Sequence, residues 1–411
     1  MILVNFKKKC MKNKIIKPFL FVGMICIACS LSCTKKVDDA YLNPNASVVV
    51  PIESILPGVI GGFTAFFYNG DVNKWKKFVY GVLARSYVDL SAKANFVSSG
   101  YADSAIKYAN LSMATNAENA TVKVSGGNIS AVNNFFGPFR GNIGALRQSS
   151  FIADLMSGNN TQAFTGIADP RRYYMLRENL NGTFKGLTPW LGNATTSNDY
   201  PKNFWGNPTP ISTVSCPQSG ICTIDSSRYL YQNTSPWPMM TASEIQFIIA
   251  EAAYLKGDKV TALAAYANGI SLNFDMITTT YPQNVPTVFA ITPASKAAYM
   301  NSVVPGVASS LTLSQIMLQK YIALYGWGVQ QTWTDMRKYH YVDIDPATGN
   351  QVYAGFAPPS GANLISTNNG KLVYRCRPRY NSEYLYNIPE LTRLGALALD
   401  YNTVQPWFTL P

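Results

Sequence analysis

Histidine is nearly missing from this chain: His340 is the only one in 411 residues. With it go the usual general base of a nucleophilic triad and the HExxH zinc arrangement. No GxSxG elbow, phosphate-binding P-loop or dinucleotide glycine pattern is present either. Charge is also scarce, at 14% of residues, and the Lys and Arg residues are scattered apart from short pairs such as Lys76-Lys77 and Arg171-Arg172. That spacing argues against nucleic-acid binding, which gathers basic residues on one face. Beyond the first 32 residues no apolar run approaches the 18 or so residues of a membrane-spanning helix. Paired CxxC spacing is absent, so no metal and no cofactor is expected.

The N-terminus has what the rest lacks. Lys7, Lys8, Lys9, Lys12, Lys14 and Lys17 precede the apolar run PFLFVGMICIA, the layout of a secretory signal. Ser30-Leu31-Ser32 then leads to Cys33, read as a lipoprotein cysteine: residues 1–32 are the signal peptide, and acylation of Cys33 holds the chain to a membrane. Cys29 is the rival cleavage site. Without the leader the 34 basic residues lose six and face 22 acidic ones, so the net charge halves from +12 to +6. Half the apparent basicity is targeting signal. In an oxidising exported setting Cys216 and Cys222 can close a small loop disulfide, leaving Cys376 as a buried free thiol.

Residues 33–51 read as a lipidated tether, and residues 52–411 as one domain with no linker dividing it. Trp75, Phe78, Val79 and Val82 form a helical stripe that Asn73 can cap. A second helix is expected over GALRQSSFIADLMSG, with Leu146, Ile152, Ala153 and Met156 inward and Gly158 closing it. Thr241 and Glu244 form a capping box, and Ile245, Ile248, Ile249 and Ala252 the stripe behind it. Gly257 ends that helix and Asp258 caps the next, whose stripe is Val260, Leu263, Ala264 and Ala267. The alanines of this αα-hairpin allow the close approach seen in tetratricopeptide helix pairs. A further helix begins at Thr312 with Gln315 as its box partner and runs on toward Met336. DPATGN at 345–350 and Asn369-Gly370 predict two hairpins; the turn explains Asp343 and Asp345 better than a calcium loop does.

Residues 181–240 are rich in Gly, Pro, Asn, Ser and Thr, with aromatics throughout, and long irregular segments of this kind are usually functional. Flat rings can cover the apolar face of a sugar while polar tips bond its edge. The candidate ligand-binding residues are Trp190, Tyr200, Trp205, Tyr229 and Trp237 as walls, with Arg228 and Asn203, together with Asn193, Asn198 and Asn207, as polar tips. A glycosidase would need two carboxylates, and Asp169, Asp199, Asp225, Glu244, Asp335 and Glu383 are its candidates, although capping and Arg pairing explain them more cheaply.

Four phrases in order, NPNASVVVPIESILPG, ASEIQFIIAEAAYLKGD, QIMLQKYIALYGWGVQQTWTDMRK and RCRPRYNSEYLYNIPELTRLG, resemble the SusD/RagB nutrient-binding outer-membrane lipoproteins. The resemblance implies a mainly α fold of tetratricopeptide-like helix pairs with long loops and a few short β-hairpins. It also implies a binding protein without catalysis, lipid-anchored in the outer membrane and facing the cell exterior. Such a protein passes oligosaccharide or peptide to a TonB-dependent SusC-like transporter; the pair at 241–270 would face the transporter and the loops the nutrient. Asp335 and Arg337 match an acidic–basic pair of that family, read as a structural ion pair. Lys35-Lys36 stand ahead of Asp38-Asp39, where such lipoproteins usually carry an acidic export segment. The alternatives are a lipid-anchored glycoside hydrolase and a structural transporter partner with no ligand of its own. Replacing the acylated thiol, Cys33→Ser, is expected to move the protein from the membrane to the soluble fraction; acyl mass retained in a mass spectrum would assign the lipid to Cys29.

Overall fold

The computed structural model describes residues 68–142, 146–192, 199–206, 227–378 and 381–411. Cys29, Cys33, Cys216, Cys222, Asp225, Asn193, Asn198 and Asn207 lie outside the described residues. Within them the fold is mainly α. Its ten helices are α1 (Val72–Val88), α2 (Tyr101–Leu111), α3 (Ser150–Ser157), α4 (Arg172–Met175), α5 (Ala242–Lys256), α6 (Lys259–Thr280), α7 (Pro293–Val303), α8 (Leu313–Ala323), α9 (Val329–Lys338) and α10 (Ile388–Arg393). One antiparallel pair, β1 (Ala120–Val122) with β2 (Trp237–Met240), is the only sheet among the described residues.

Local chemistry starts and stops these helices with small departures from expectation. Asp71, not Asn73, caps α1, its carboxylate accepting from the amides of Asn73 and Lys74. The second expected helix begins later, at Ser150, so Leu146 stays exposed while Ile152, Ala153 and Met156 are buried and Gly158 closes the helix. Thr241 caps α5 through the amide of Glu244, but the box is half made, because the Glu244 carboxylate takes both Nε and Nη2 of Arg85 at 2.8 Å. Gly257, at φ 90°, turns the chain and Asp258 caps α6 through Thr261. Only a residue without a Cβ enters that left-handed turn cheaply. The stripe of α6 lies one step round from the expected one: Ala262, Ala265, Tyr266 and Ile270 are buried, whereas Val260 and Ala264 face outward. Gly269 lets α6 approach the Phe247 ring of α5, where a Cβ would stand 3.1 Å from two ring carbons. The Thr312–Gln315 box is complete, but its helix ends at Ala323; Gly326 at φ 86° separates it from α9.

Helix α5 is the axis of the body. Twelve of its fifteen residues are buried, and it packs against α1, α2, α6 and α8. It therefore has no outer face, and of the 241–270 pair only α6 has a solvent side. The hydrophobic core includes Phe247, Ile248, Tyr266, Phe274, Ile316 and Met317. DPATGN does turn, with the amides of Thr348 and Gly349 on the Asp345 carbonyl and a bridge between Ile344 and Gln351. Asn369-Gly370 turns too, but follows a 3-10 helix with no strand on either side. Cys376 is exposed rather than buried. His340 is half-buried, its Nδ1 2.7 Å from Asp343.

Polar groups at the centre are matched with care. Glu251 of α5 meets Lys320 of α8 at 3.2 Å and Lys338 of α9 at 2.6 Å; Asp335 meets the same two lysines at 2.8 and 3.1 Å. Asp335 thus pairs with Lys320 and Lys338 and not with Arg337, which lies over the Trp333 ring and donates to the Tyr374 carbonyl. Ser91 and Tyr339 hydroxyls complete the shell of Glu251. Burial alone would raise the Glu251 pKa, but Lys338 and Lys320 reverse this and hold it well below the usual carboxylate range. Its ionisation therefore stabilises the fold above pH 4.5, the ordinary value, and that contribution is lost as pH falls from there through the lowered native value. Glu251→Gln leaves two buried ammonium groups sharing one carboxylate, and is expected to cost about 3–5 kcal/mol. Urea melts at pH 3 and pH 6 check this: the variant loses the part of the pH dependence that wild type owes to this carboxylate.

Candidate functional site

Two clefts open on either side of one aromatic pair. Trp237, the first residue of β2, lies against Phe136 with ring centroids 4.6 Å apart and planes tilted by 30°. The first cleft, about 330 Å³, is walled by Phe136, Trp237, Phe204, Tyr231, Tyr321 and Tyr325, with Arg147 and Thr332 as polar groups. The second, about 430 Å³, contains Phe135, Phe136 and Trp237 along with Lys123, Arg140 and Ser125. Both volumes fall in the range of small-molecule sites, which combine apolar walls with a few placed polar groups. A more open cavity of about 490 Å³ lies elsewhere, beside the stacked Tyr173 and Phe289.

The aromatic wall is held from behind. Register pairs Trp237 with Val122, Thr121 with Pro238 and Ala120 with Met240, with a bulge between Ala120 and Thr121. Pro238 has no amide to donate, which a two-stranded edge tolerates. Asn134 staples the loop bearing Phe136: its side-chain amide donates to the carbonyls of Leu230 and Ser235, and its Oδ1 accepts from the Phe136 amide. Tyr229 takes a left-handed φ of 55°, uncommon for a large side chain. The buried Tyr229–Tyr231 turn is held there by the Ser235 hydroxyl on the Tyr229 carbonyl and by the Tyr229 phenol on the Tyr325 carbonyl.

The walls of the first cleft are neutral and one cation, Arg147, faces them. Burial pushes the Tyr321 phenol up to about 12 and raises those of Tyr231 and Tyr325 further, so all three remain protonated at physiological pH. Burial also pulls the Arg147 pKa below its ordinary value, opposed by the Tyr200 phenol. Phe204 stacks on Tyr231 at 4.0 Å, continuing the wall inward. Gln148 lines the same cleft, but its side chain is taken up by the backbone of Arg177 and Lys185.

Of the ten aromatic and polar residues singled out from sequence, seven are among the described residues; the structure brings Trp237 directly into the clefts and Tyr200 into electrostatic reach of Arg147. Trp205 is buried behind the wall, its indole N–H donating to the Phe136 carbonyl at 3.0 Å. Asn203 is buried and accepts from the Trp205 amide. Arg228 is a strut, bonded to Glu178 and to the carbonyls of Tyr173 and Asn284. Tyr229 is fully buried, edge-on to Tyr281. Trp190 is half-buried in a turn and is not among the residues lining either cleft. Sequence reasoning passed over Phe136, Tyr321, Tyr325 and Arg147. NNFFGPFRG at 133–141 carries the same Asn, Gly and aromatic mixture as the flagged loop, and Tyr321 and Tyr325 are an i, i+4 pair.

Five of the six carboxylates named as glycosidase candidates, those among the described residues, are spent elsewhere. Asp169 binds Arg171, Asp199 binds Lys185, Glu244 binds Arg85, Asp335 binds its two lysines and Glu383 accepts from Asn387. No group of three His, Cys, Asp or Glu suited to a metal ion occurs among the described residues.

A family of SusD-like proteins described as starch-binding and associating with the outer membrane matches residues 59–360. Among solved structures, a SusD/RagB family protein from Bacteroides thetaiotaomicron is 22% identical at TM-score 0.52, covering 84% of this chain and 66% of its own length. A SusD homologue from Bacteroides fragilis is 20% identical at 0.50, covering 83% and 68%. A chitin-binding SusD homologue from Flavobacterium johnsoniae is 18% identical at 0.50, covering 87% and 69%. The chain thus spans about two thirds of the length of these structures, and at such identities the likeness is one of fold. No curated protein matches the chain. Behind the wall, Trp205→Phe removes the donor to the Phe136 carbonyl and is expected to lower stability by about 1–3 kcal/mol, read as a reduced urea midpoint at unchanged slope.

Proposed function

The chain belongs to the SusD-like family, and from that premise we propose that it is a glycan-binding surface lipoprotein whose ligand sits against Trp237 and Phe136. The observation that carries the reading is the shared wall: one tilted Trp–Phe pair with a cleft on each side, neutral phenols around it and few charges. A pyranose has an apolar C–H face and a polar rim. A ring of this kind can lie on the indole while Arg147, Thr332 or Ser125 bonds its hydroxyls. Family membership supports binding as the role.

Anchoring by the lipid at Cys33, exposure on the outer membrane and delivery of the ligand to a TonB-dependent SusC-like transporter complete the proposal. It rests there on the leader sequence and the family. On this reading Trp205, Tyr229, Arg228 and Asn203 serve the ligand by building the wall, and Tyr200 by steadying Arg147. Trp190 is proposed as an outlying contact for a longer chain.

Calorimetric titration of the mature protein with malto- and chito-oligosaccharides tests the reading. Saturable binding without product release is expected, and Trp237→Ala is expected to weaken it by about 1–3 kcal/mol, the cost of losing a buried anchor. Undiminished affinity in Trp237→Ala would place the ligand away from the wall, and release of shorter sugars would favour the hydrolase.

A further inference from the structure

Among the described residues, the charged groups lining the two clefts are of one sign. Arg147 lines the first cleft, and Lys123 and Arg140 line the second; among the described residues no Asp or Glu lines either. This differs from the protein interior, where Arg85, Arg171, Lys320 and Lys338 each meet a carboxylate within 3.2 Å. Lys123 follows Val122, the strand partner of Trp237, so the register of the β pair fixes its backbone one residue beyond the wall. Arg140 ends the Pro138–Arg140 turn, half-buried, with its guanidinium 5.1 Å over the exposed Phe135 ring. Neither Lys123 nor Arg140 forms an ion pair with a carboxylate among the described residues. Buried Asn133 fixes the loop between them, donating to the carbonyls of Gly127 and Ile129.

Resting on the glycan reading, we propose that the ligand is an acidic oligosaccharide that straddles the Trp237–Phe136 wall and sets its carboxylate or sulfate beside Lys123 and Arg140. The wall faces both clefts, so consecutive sugar units can use its two sides. The second cleft supplies what a neutral sugar does not need: a guanidinium fork and an ammonium, the donors that match an oxyanion best. Lys123 is exposed and Arg140 half-buried over the Phe135 ring; a neutral chain draws nothing from their charge, whereas an anion can bond both. The attraction is between partly exposed groups and falls with added salt.

Oligogalacturonates and heparin-derived tetrasaccharides, titrated against methyl-esterified oligogalacturonates, malto- and chito-oligosaccharides at 20 and 300 mM salt, separate the possibilities. An acidic chain is expected to bind at least tenfold tighter than the ester or the neutral sugars, with the preference shrinking at high salt. In the double variant Lys123→Gln, Arg140→Gln, checked for a cooperative melt, the acid-to-neutral ratio is expected to fall toward one. Equal affinity for acid and ester, or tighter binding of a neutral chain, would overturn the acidic assignment while leaving the glycan reading in place. No binding of any of these sugars would overturn both.

Discussion

Everything in the helical body depends on the neutralisation of charge at its centre. Glu251 stands on a helix buried on nearly every side, where an isolated carboxylate would be untenable. Its two oxygens are shared between Lys320 and Lys338, and Asp335 closes a four-membered ring with the same two lysines. Lys338 also donates to the Val88 carbonyl at the end of α1. Three helices and the end of a fourth are thereby fixed relative to one another. Hydrophobic packing would tolerate sliding of one helix along another; a closed ring of paired charges does not. The net stabilisation of such a ring over an apolar core can be small, but its break is costly, so it acts on which arrangement is chosen.

A second buried ion pair does the same for the loops. The Arg171 guanidinium, wholly buried, binds Asp169 in a fork, reaches Asn273 of α6 and Gln319 of α8, and lies over the Phe274 and Tyr299 rings. Through it the chain leaving α3 is tied to the α5–α6–α8 packing. Asn134 and Arg228 continue the pattern further out, one joining the Phe136 loop to the 230–235 turn, the other joining Glu178 and Tyr173 to Asn284. The aromatic wall is therefore preorganised by polar staples together with the β1–β2 pair, and a preformed wall spares a ligand the entropy of ordering it.

Such a construction separates the two duties of the aromatic-rich segments. Rings such as Trp205 and Tyr229 fill the space under the loops and give the backbone its shape. Trp237 and Phe136 are left at the surface of that shape with open volume on both sides. The same composition serves support and contact, and the difference lies only in which ring the fold leaves uncovered.

Sequence by itself determined the local stops and starts: Gly257 with Asp258, Gly158, the Thr312–Gln315 box and the helical class of the whole, because these depend on residues three or four apart. The order of four phrases also sufficed for the family. Tertiary structure alone decided where the long-range partners lie. Glu244 left its box for Arg85, 159 residues away in sequence; Asp335 chose lysines over the nearer Arg337; the stripe of α6 turned to meet Phe247. The site followed the same rule. Trp237 was legible as an aromatic in a polar loop, but Phe136, Tyr321, Tyr325 and Arg147 come from segments on either side, and only packing brings them together. Periodicity and capping are short-range and can be read along a chain, whereas charge pairing and concavity are properties of distances that exist only after it has folded.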